Sequence, residues 1–509
     1  MTPVVLLRAV FASLVLTALA AGCAVGPDYE RPDLDTPVPA QWANPAAADA
    51  QVRGPTMADA LPDSGAGAAW RWWQAFGDTT LDRLVDDALA HNHQLEQAVA
   101  RVLEARAGVT GAESARWPAV EVGGQASRSK TSEKVVIFGP VYNNAYGVTA
   151  TARWELDLWG KLSRAKEAAV ATLLASEQNR RAVAQGLIAD VVRTWLLVRE
   201  LQLQVALTER TIASFENSLT MVQERYRRGL VGPLDLHLAG QNLAAARAQL
   251  PAFRQRLAAA RRTLEILAGR YPAGTLKASD LDQPDGRLAA EFMPAPLAPV
   301  PAGLPSELLD RRPDLLAAES RLASTVAQIG QAKAALYPRI ALTADGGTRS
   351  REFADLFTTG SDAWSLVGNL LMPLINRGAT KAQFQAAEAR AREATAAYRA
   401  AVLQAFAEVE NALDQDLLQQ ERETQLTESA DRARRSVGLA EERYRRGLDN
   451  LLTTLESQRR LFTAESSLLT TQRERRTARV DLIQALGGPW ETAPEAALSM
   501  TSTAEGDRP

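Results

Sequence analysis

The chain has 509 residues, with 57 basic against 60 acidic side chains, three His and one Cys. That balance excludes a surface built for nucleic acid or for a strongly acidic partner. Three His and one Cys are too few for a zinc site or a disulfide framework, and no metal or cofactor is expected.

In chain order, Arg8 precedes an apolar stretch from Ala9 to Ala21, closed by Ala20, Ala21 and Gly22. That stretch is too short to span a bilayer as a helix, so residues 1–22 read as a cleaved export signal. Cys23, directly after small residues, resembles the acylated residue of a bacterial lipoprotein box. The box usually has Leu three residues before the Cys, whereas here Leu19 is four before. Ala24 after the Cys is similar to lipoproteins sorted to the outer membrane. An acyl cluster anchors a chain but does not span the bilayer. Residues 24–66 are rich in Pro, Ala and Asp without helical or strand period, which predicts an extended arm over 23–75. The bulk of Trp70, Trp72 and Trp73 near its end is expected to pack onto the body.

Beyond the arm the chain is written twice. Glu-Arg-Tyr-Arg-Arg-Gly-Leu occurs at Glu224–Leu230 and again at Glu442–Leu448, an offset of 218 residues that Gly160 and Gly378 share. Leu95 and Leu315, then Pro118 and Pro338, match at an offset of 220. Two copies follow, over 76–290 and 291–490, with a tail at 491–509.

From about Thr80 to Arg116, the residues Leu84, Leu95, Val99, Val102 and Val109 predict one amphipathic helix, ended by Pro118. Val120, Val122, Gly124 and Ala126 alternate with polar or small residues, predicting a strand at about 119–129. A second, at about 144–157, has Tyr146, Val148, Ala150, Ala152, Trp154 and Leu156 on one face. Glu155, Arg153, Thr151 and Thr149 lie on the other, so the strand has two different solvents. Its length suits a tilted membrane strand, with Trp154 and Trp159 at headgroup level. A half-buried soluble hairpin fits the same alternation. A seam then runs through Val183, Leu187, Val191, Trp195, Val198, Leu201, Val205, Ile212, Phe215, Leu219, Val222 and Tyr226. It predicts a helix over 160–228, roughly 100 Å long, and a shorter one over 233–268.

The second copy predicts a helix over 306–337 and strands at about 338–348 and 362–373. Ile340, Leu342 and Ala344, then Trp364, Leu366, Leu370 and Met372, carry their apolar face. Helices over 378–446 and 451–486 follow. In each copy two half-length helices placed end to end match one long helix, which is the wall of a tube rather than a globule. Four strands cannot close a membrane barrel, so their free edges require other copies. Three chains would supply twelve strands and two would supply eight, and both remain open on this arithmetic.

The chain resembles the outer membrane factor family, the TolC-like exit ducts, and within it the lipoprotein branch typified by OprM. The residues that carry the resemblance begin with Cys23-Ala24-Val25-Gly26-Pro27-Asp28-Tyr29 and Arg311-Arg312-Pro313-Asp314-Leu315. Tyr226-Arg227-Arg228-Gly229-Leu230 and its twin at Tyr444–Leu448 complete the set. The resemblance implies a mixed, mainly α fold. It implies a homotrimer whose twelve-stranded β-barrel in the outer membrane, four strands per chain, continues as a periplasmic α-helical barrel. It also implies two partners, a periplasmic adaptor and an inner-membrane pump of the resistance-nodulation-division class, exporting drugs or other small toxic molecules.

Each long helix ends in a cationic turn, Arg225, Tyr226, Arg228, Gly229 and Leu230, or Arg443, Tyr444, Arg446, Gly447 and Leu448. Arg complements the helix dipole and Gly supplies the left-handed cap, which alone explains good helix termination. In the resembled family these turns are the periplasmic tip where the adaptor docks. Asp235 and Tyr444 match family positions that tie neighbouring hairpins at a closed aperture. Leu452 and Glu456, four apart on one face, match constriction rings, with Thr453 beside them. Asp449 stands where some members have Arg, which puts the inter-hairpin ion pair in doubt.

No nucleophile elbow, phosphate loop or metal-ligand spacing is present, so no enzyme is expected. His91, His93 and His237 read as surface or tip residues. A periplasmic coiled-coil adaptor or spacer is the rival class, although adaptors usually carry one hairpin and a lipoyl-like domain. Type I secretion or metal efflux is an alternative within the duct class.

Overall fold

The computed structural model describes residues 24–34, 37–43, 71–132, 142–274, 293–300, 303 and 305–488. The expected export signal, the lipidation residue Cys23 and the tail from residue 491 lie outside the described residues. In chain order the elements are α1 Thr79–His91, α2 His93–Ser114, β1 Ala119–Lys130, β2 Tyr142–Leu156, α3 Lys161–Arg227 and α4 Pro233–Leu267. Then follow α5 Leu308–Arg311, α6 Pro313–Ala334, β3 Arg339–Ser350, β4 Asp362–Leu371, α7 Ala379–Arg445 and α8 Leu451–Ala485. The long helices α3 and α7 have 67 residues each, and the return helices α4 and α8 have 35 each.

The chain divides into two compact units. The first comprises Ala100–Gln178, Ala317–Ala400 and the described residues up to Asp33. The second comprises the described residues of Leu34–Val99, Asn179–Leu316 and Ala401–Pro509. Helices α2, α3, α6 and α7 contribute residues to both.

The first unit holds one antiparallel sheet, ordered β1-β2-β3-β4, in which, among the described residues, β1 and β4 pair on one side only. Its register places Val120 opposite Ala152, Ala152 opposite Ala344, and Ala344 opposite Leu366. One residue on, Glu121, Thr151, Asp345 and Ser365 form the neighbouring row. Because side chains alternate along a strand, these rows lie on opposite faces. The polar face bonds to itself: Thr151 and Ser365 donate to Asp345 at 2.6 and 3.0 Å, and Arg153 pairs with Glu121 at 2.8 Å. The apolar face is uncovered, with Val122 74% and Trp364 81% exposed. Among the described residues no helix is long and apolar enough to cross a membrane. At the foot of the strands Trp159 stacks on Tyr337 at 5.0 Å and donates to the Pro338 carbonyl at 2.8 Å. Asp157 starts α3 by accepting the Leu162 and Ser163 amides, both at 2.8 Å.

In the second unit Trp73, Leu81, Val85, Val191, Trp195, Leu196 and Leu264 form the centre of the core. The predicted α3 seam is buried at Leu187, Val191, Trp195, Val198, Leu201, Phe215 and Val222. Tyr226 departs from it and is 43% exposed, because it lies in the last turn of α3, where the chain reverses.

Two expected helices are each broken near their start. The helix predicted from about 80 to 116 stops at Asn92, which is extended and separates α1 from α2. Its side-chain oxygen accepts the Gln94 and Leu95 amides at 2.9 and 3.2 Å and so caps α2. Its amide nitrogen donates to the Leu267 carbonyl, the last of α4, at 2.9 Å. The helix predicted over 306–337 stops at Arg312 and restarts at Pro313. Proline has no N–H and drives the preceding residue out of the helical region, a signal that the apolar spacing conceals. Arg312 Nη1 donates to the Ala485 carbonyl, the last of α8, at 3.1 Å. Beside these bonds the chains meet backbone to backbone. A Cβ on Gly269 would lie 2.2 Å from the His91 carbonyl oxygen, and one on Gly487 3.1 Å from that of Arg311.

Candidate functional site at the helical turns

Helices α3 and α7 end in the same way. Gly229 and Gly447 have φ of 73° and 75°. Leu230 N–H donates to the Arg225 carbonyl and Leu448 N–H to the Arg443 carbonyl, both at 2.9 Å. These bonds satisfy carbonyls that a helix end leaves orphaned, and a left-handed residue at that point favours Gly. Pro233 opens α4, where its missing N–H costs nothing. Asn450 opens α8 by accepting the Thr453 amide at 3.0 Å. The turns present apolar tips: Leu230 and Leu448 are each 63% exposed.

The sequence-identical turns differ in what they touch. Tyr444 is buried, in a cluster with Phe215, Val222, Ala239, Leu243, Leu451 and Leu455. The Arg225 guanidinium lies over its ring, 4.7 Å from the centroid, and Nη1 donates to the Tyr444 carbonyl at 2.7 Å. Tyr226, the twin of Tyr444, is exposed. Arg443, the twin of Arg225, pairs with Asp449 at 3.3 Å, and Arg446 pairs with Glu442. Burial pushes the Tyr444 phenol up; Arg225 opposes that shift and the Asp235 carboxylate adds to it. Its hydroxyl is buried without a hydrogen-bond partner among the described residues.

Asp449 is absorbed locally. It accepts the Asn450 amide at 2.9 Å, the Thr453 hydroxyl at 3.0 Å and Arg443 Nε at 3.3 Å. Those donors hold its carboxyl below the usual range, the Asn450 amide foremost. Thr453 thus spends its amide and hydroxyl on capping α8. Leu452 is 62% exposed, one turn before Glu456 on the same face. Glu456 is gripped by Arg460 Nε at 2.8 Å and by Arg459 Nη2 at 2.8 Å, which hold its carboxyl low. Asp235 lies in the first turn of α4.

Sequence reasoning missed Gln458. It is 4% exposed, and its amide nitrogen, with two N–H donors, lies between three acceptors: Ser214 Oγ at 2.9 Å, Ser218 Oγ at 3.0 Å and Glu441 Oε1 at 2.9 Å. A cavity of about 350 Å³ adjoins it, lined by Arg210, Asn217, Met221, Tyr444 and Thr454 among others. The signal was a lone Gln two residues beyond Glu456, which periodicity does not distinguish from a solvated one.

The family model for outer membrane efflux proteins matches residues 84–270 and 304–488. The chain is 33% identical over 487 residues to the solvent efflux pump outer membrane protein SrpC of Pseudomonas putida, covering 95% of this chain and 99% of that protein. It is 34% identical over 484 residues to outer membrane protein OprJ of Pseudomonas aeruginosa, covering 94% and 96%. The structure matches that of the outer-membrane channel OprN with a TM-score of 0.81 at 29% identity, over 93% of this chain and 100% of that one. With both matched segments spanning the sheet, the long helices and the turns, the chain belongs to the outer membrane efflux protein family.

Proposed function

We propose that this chain is one of three identical subunits of the outer-membrane exit duct of a tripartite efflux pump, passing small toxic compounds outward. The observation that carries this reading is the sheet. Among the described residues its apolar face is uncovered, its polar face is internally bonded, and its edge strands β1 and β4 each lack a second partner. Such a sheet is satisfied when its outer face meets lipid and its edges pair with other copies. Three copies of a duplicated chain would close twelve strands, with α3 and α7 lining the periplasmic tunnel. Acylation at Cys23 would anchor each chain to the outer membrane.

The two turns are the surface offered to a periplasmic adaptor, itself bound to a resistance-nodulation-division pump that supplies the energy. Exposed Leu230 and Leu448 beside Gly229 and Gly447 admit the close approach of another helical hairpin. Arg225, Tyr226, Arg228, Arg443 and Arg446 add cationic and hydrogen-bonding edges. Asp235, Leu452, Thr453 and Glu456 would surround the aperture, opened passively by movement of the helices.

The mass of the purified protein in detergent, with detergent subtracted, tests the assembly. A three-chain particle is expected; a monomer that stays soluble without its lipid would favour a periplasmic spacer instead. In planar bilayers, Asp235→Ala with Glu456→Ala raises single-channel conductance. Unchanged conductance would remove these two residues from the aperture.

A further inference from the structure

The stretch from Ala24 to Leu34 has neither helix nor strand, yet it is bonded along its length. Val25 N–H donates to the Trp159 carbonyl at 3.1 Å. Asp28 accepts Arg164 Nη2 at 2.7 Å. The Tyr29 hydroxyl donates to Glu319 at 3.0 Å, and Arg31 grips the same carboxylate with Nε and Nη2, both at 2.8 Å. Arg399 donates to the Asp33 carbonyl at 2.8 Å. Every residue in these bonds, from Val25 to Asp33 on the arm, belongs to the first unit.

Two glycine contacts fit the groove to this occupant. A Cβ on Gly26 would lie 2.4 Å from the Gly330 Cα, and one on Gly160 would lie 2.7 Å from the Ala24 Cβ. Gly330 in turn covers Arg164, whose side chain is 7% exposed, and a Cβ at 330 would lie 2.9 Å from Arg164 Cγ. Close backbone contact of this kind tolerates only glycine. The buried guanidinium below it depends on its carboxylate partners, Asp28 and Glu167.

The arm's partners come from both halves of the chain. Trp159, Gly160 and Arg164 stand where β2 runs into α3; Glu319 and Gly330 stand on α6, which runs into β3. Strands β1 and β2 are joined by a short connection, as are β3 and β4. The pairing of β2 with β3 joins segments such as Ala152 and Ala344 and must overcome the closure entropy of a long loop. The arm ties together the two segments that this pairing must align.

We propose that residues 24–34 are an intramolecular clasp, and that their docking onto α3 and α6 sets the β2–β3 register. This neither requires acylation nor rests on the exit-duct reading. The test uses full-length protein in isolated membranes, with Cys23 intact. Gly26→Val changes no helix or strand residue. Two readouts are taken: chymotryptic cleavage after Tyr29, a bond kept in every variant, and oxidation of a cysteine pair placed by Ala152→Cys and Ala344→Cys, read by mass spectrometry. Cleavage is expected to rise about tenfold or more as the arm opens, with a severalfold fall in cross-linking. Glu319→Arg should act likewise, and Arg31→Glu combined with Glu319→Arg should restore both readouts. Full cross-linking in a Gly26→Val protein that chymotrypsin cuts freely after Tyr29 would overturn the proposal. So would an arm that stays protected in that variant.

Discussion

Arg225 and Tyr444, 219 residues apart, are joined twice: the guanidinium lies over the phenol ring, and it donates to the Tyr444 carbonyl. The first turn thereby holds the second. The twin arginine, Arg443, among the described residues pairs with Asp449 of its own turn alone, and it is 59% exposed. Arg225→Ala removes a cation–π contact and a charge-assisted bond, together about 2 kcal/mol. Arg443→Ala removes an exposed pair worth less than about 1 kcal/mol. Hydrogen exchange at Gly447 and Leu448 should quicken in the first variant and stay as it was in the second.

The buried hydroxyl of Tyr444 gives two further outcomes. Tyr444→Phe should change stability by less than about 1 kcal/mol, since no partner among the described residues is lost. Its phenol is raised in the folded chain, so the unfolded chain ionises first on the alkaline side. The stability linked to it is full below about pH 10 and lost as pH rises through the raised value. A difference titration of the protein against Tyr444→Phe reads this directly. Asp449 has the opposite sign. Its lowered carboxyl supports the start of α8 above the ordinary Asp value of about 3.9, and that support fades as pH falls through the lowered value. Asp449→Asn should flatten the acid limb of unfolding.

At the helix breaks, Arg312 and Asn92 each hold the last carbonyl of a return helix, Ala485 and Leu267. They should differ in cost. The Arg312 side chain is 9% exposed and binds Asp314 at 2.8 Å and Glu408 at 2.7 Å. Arg312→Ala should cost about 2–3 kcal/mol by removing a buried guanidinium that binds two half-exposed carboxylates and the Ala485 carbonyl. Asn92→Ala loses a cap worth about 1 kcal/mol, along with its bond to Leu267. Denaturation midpoints of the two purified variants decide the order.

The two faces of the sheet should answer differently to the same charge. Val122→Arg places a guanidinium on the apolar face and should cost about 2–4 kcal/mol of folding in lipid. Gln125→Arg, on the polar face, should be near neutral. Equal losses in vesicle refolding would mean that the apolar face does not meet lipid.

Much of the local structure was legible because period is a local property. The alternation from Tyr146 to Leu156 needs only its own residues to specify a strand, and β2 spans Tyr142–Leu156. The heptad seam likewise specified a long helix, and α3 spans Lys161–Arg227. The breaks at Asn92 and Arg312 were hidden for opposite reasons. Pro313 was a visible signal that the apolar spacing overrode, whereas Asn92 breaks its helix through a side chain bonded to a distant carbonyl. At the candidate site the turns were legible as Gly-capped helix ends, but the asymmetry between their tyrosines was not. Identical heptapeptides cannot say which copy is buried.

By itself, then, the chain's amino-acid order determined its repeated heptapeptide, its element types and lengths, its two-faced strands and its cationic Gly turns. Each depends on residues a few positions apart. Only the tertiary structure decided that Arg225 serves Tyr444, that Asp449 turns back to Arg443, that Gln458 is buried and that Gly26 meets Gly330. Those contacts join segments that no local pattern pairs. Burial and partner choice follow from how whole helices pack, and two residues of the same type in the same local sequence can meet different neighbours.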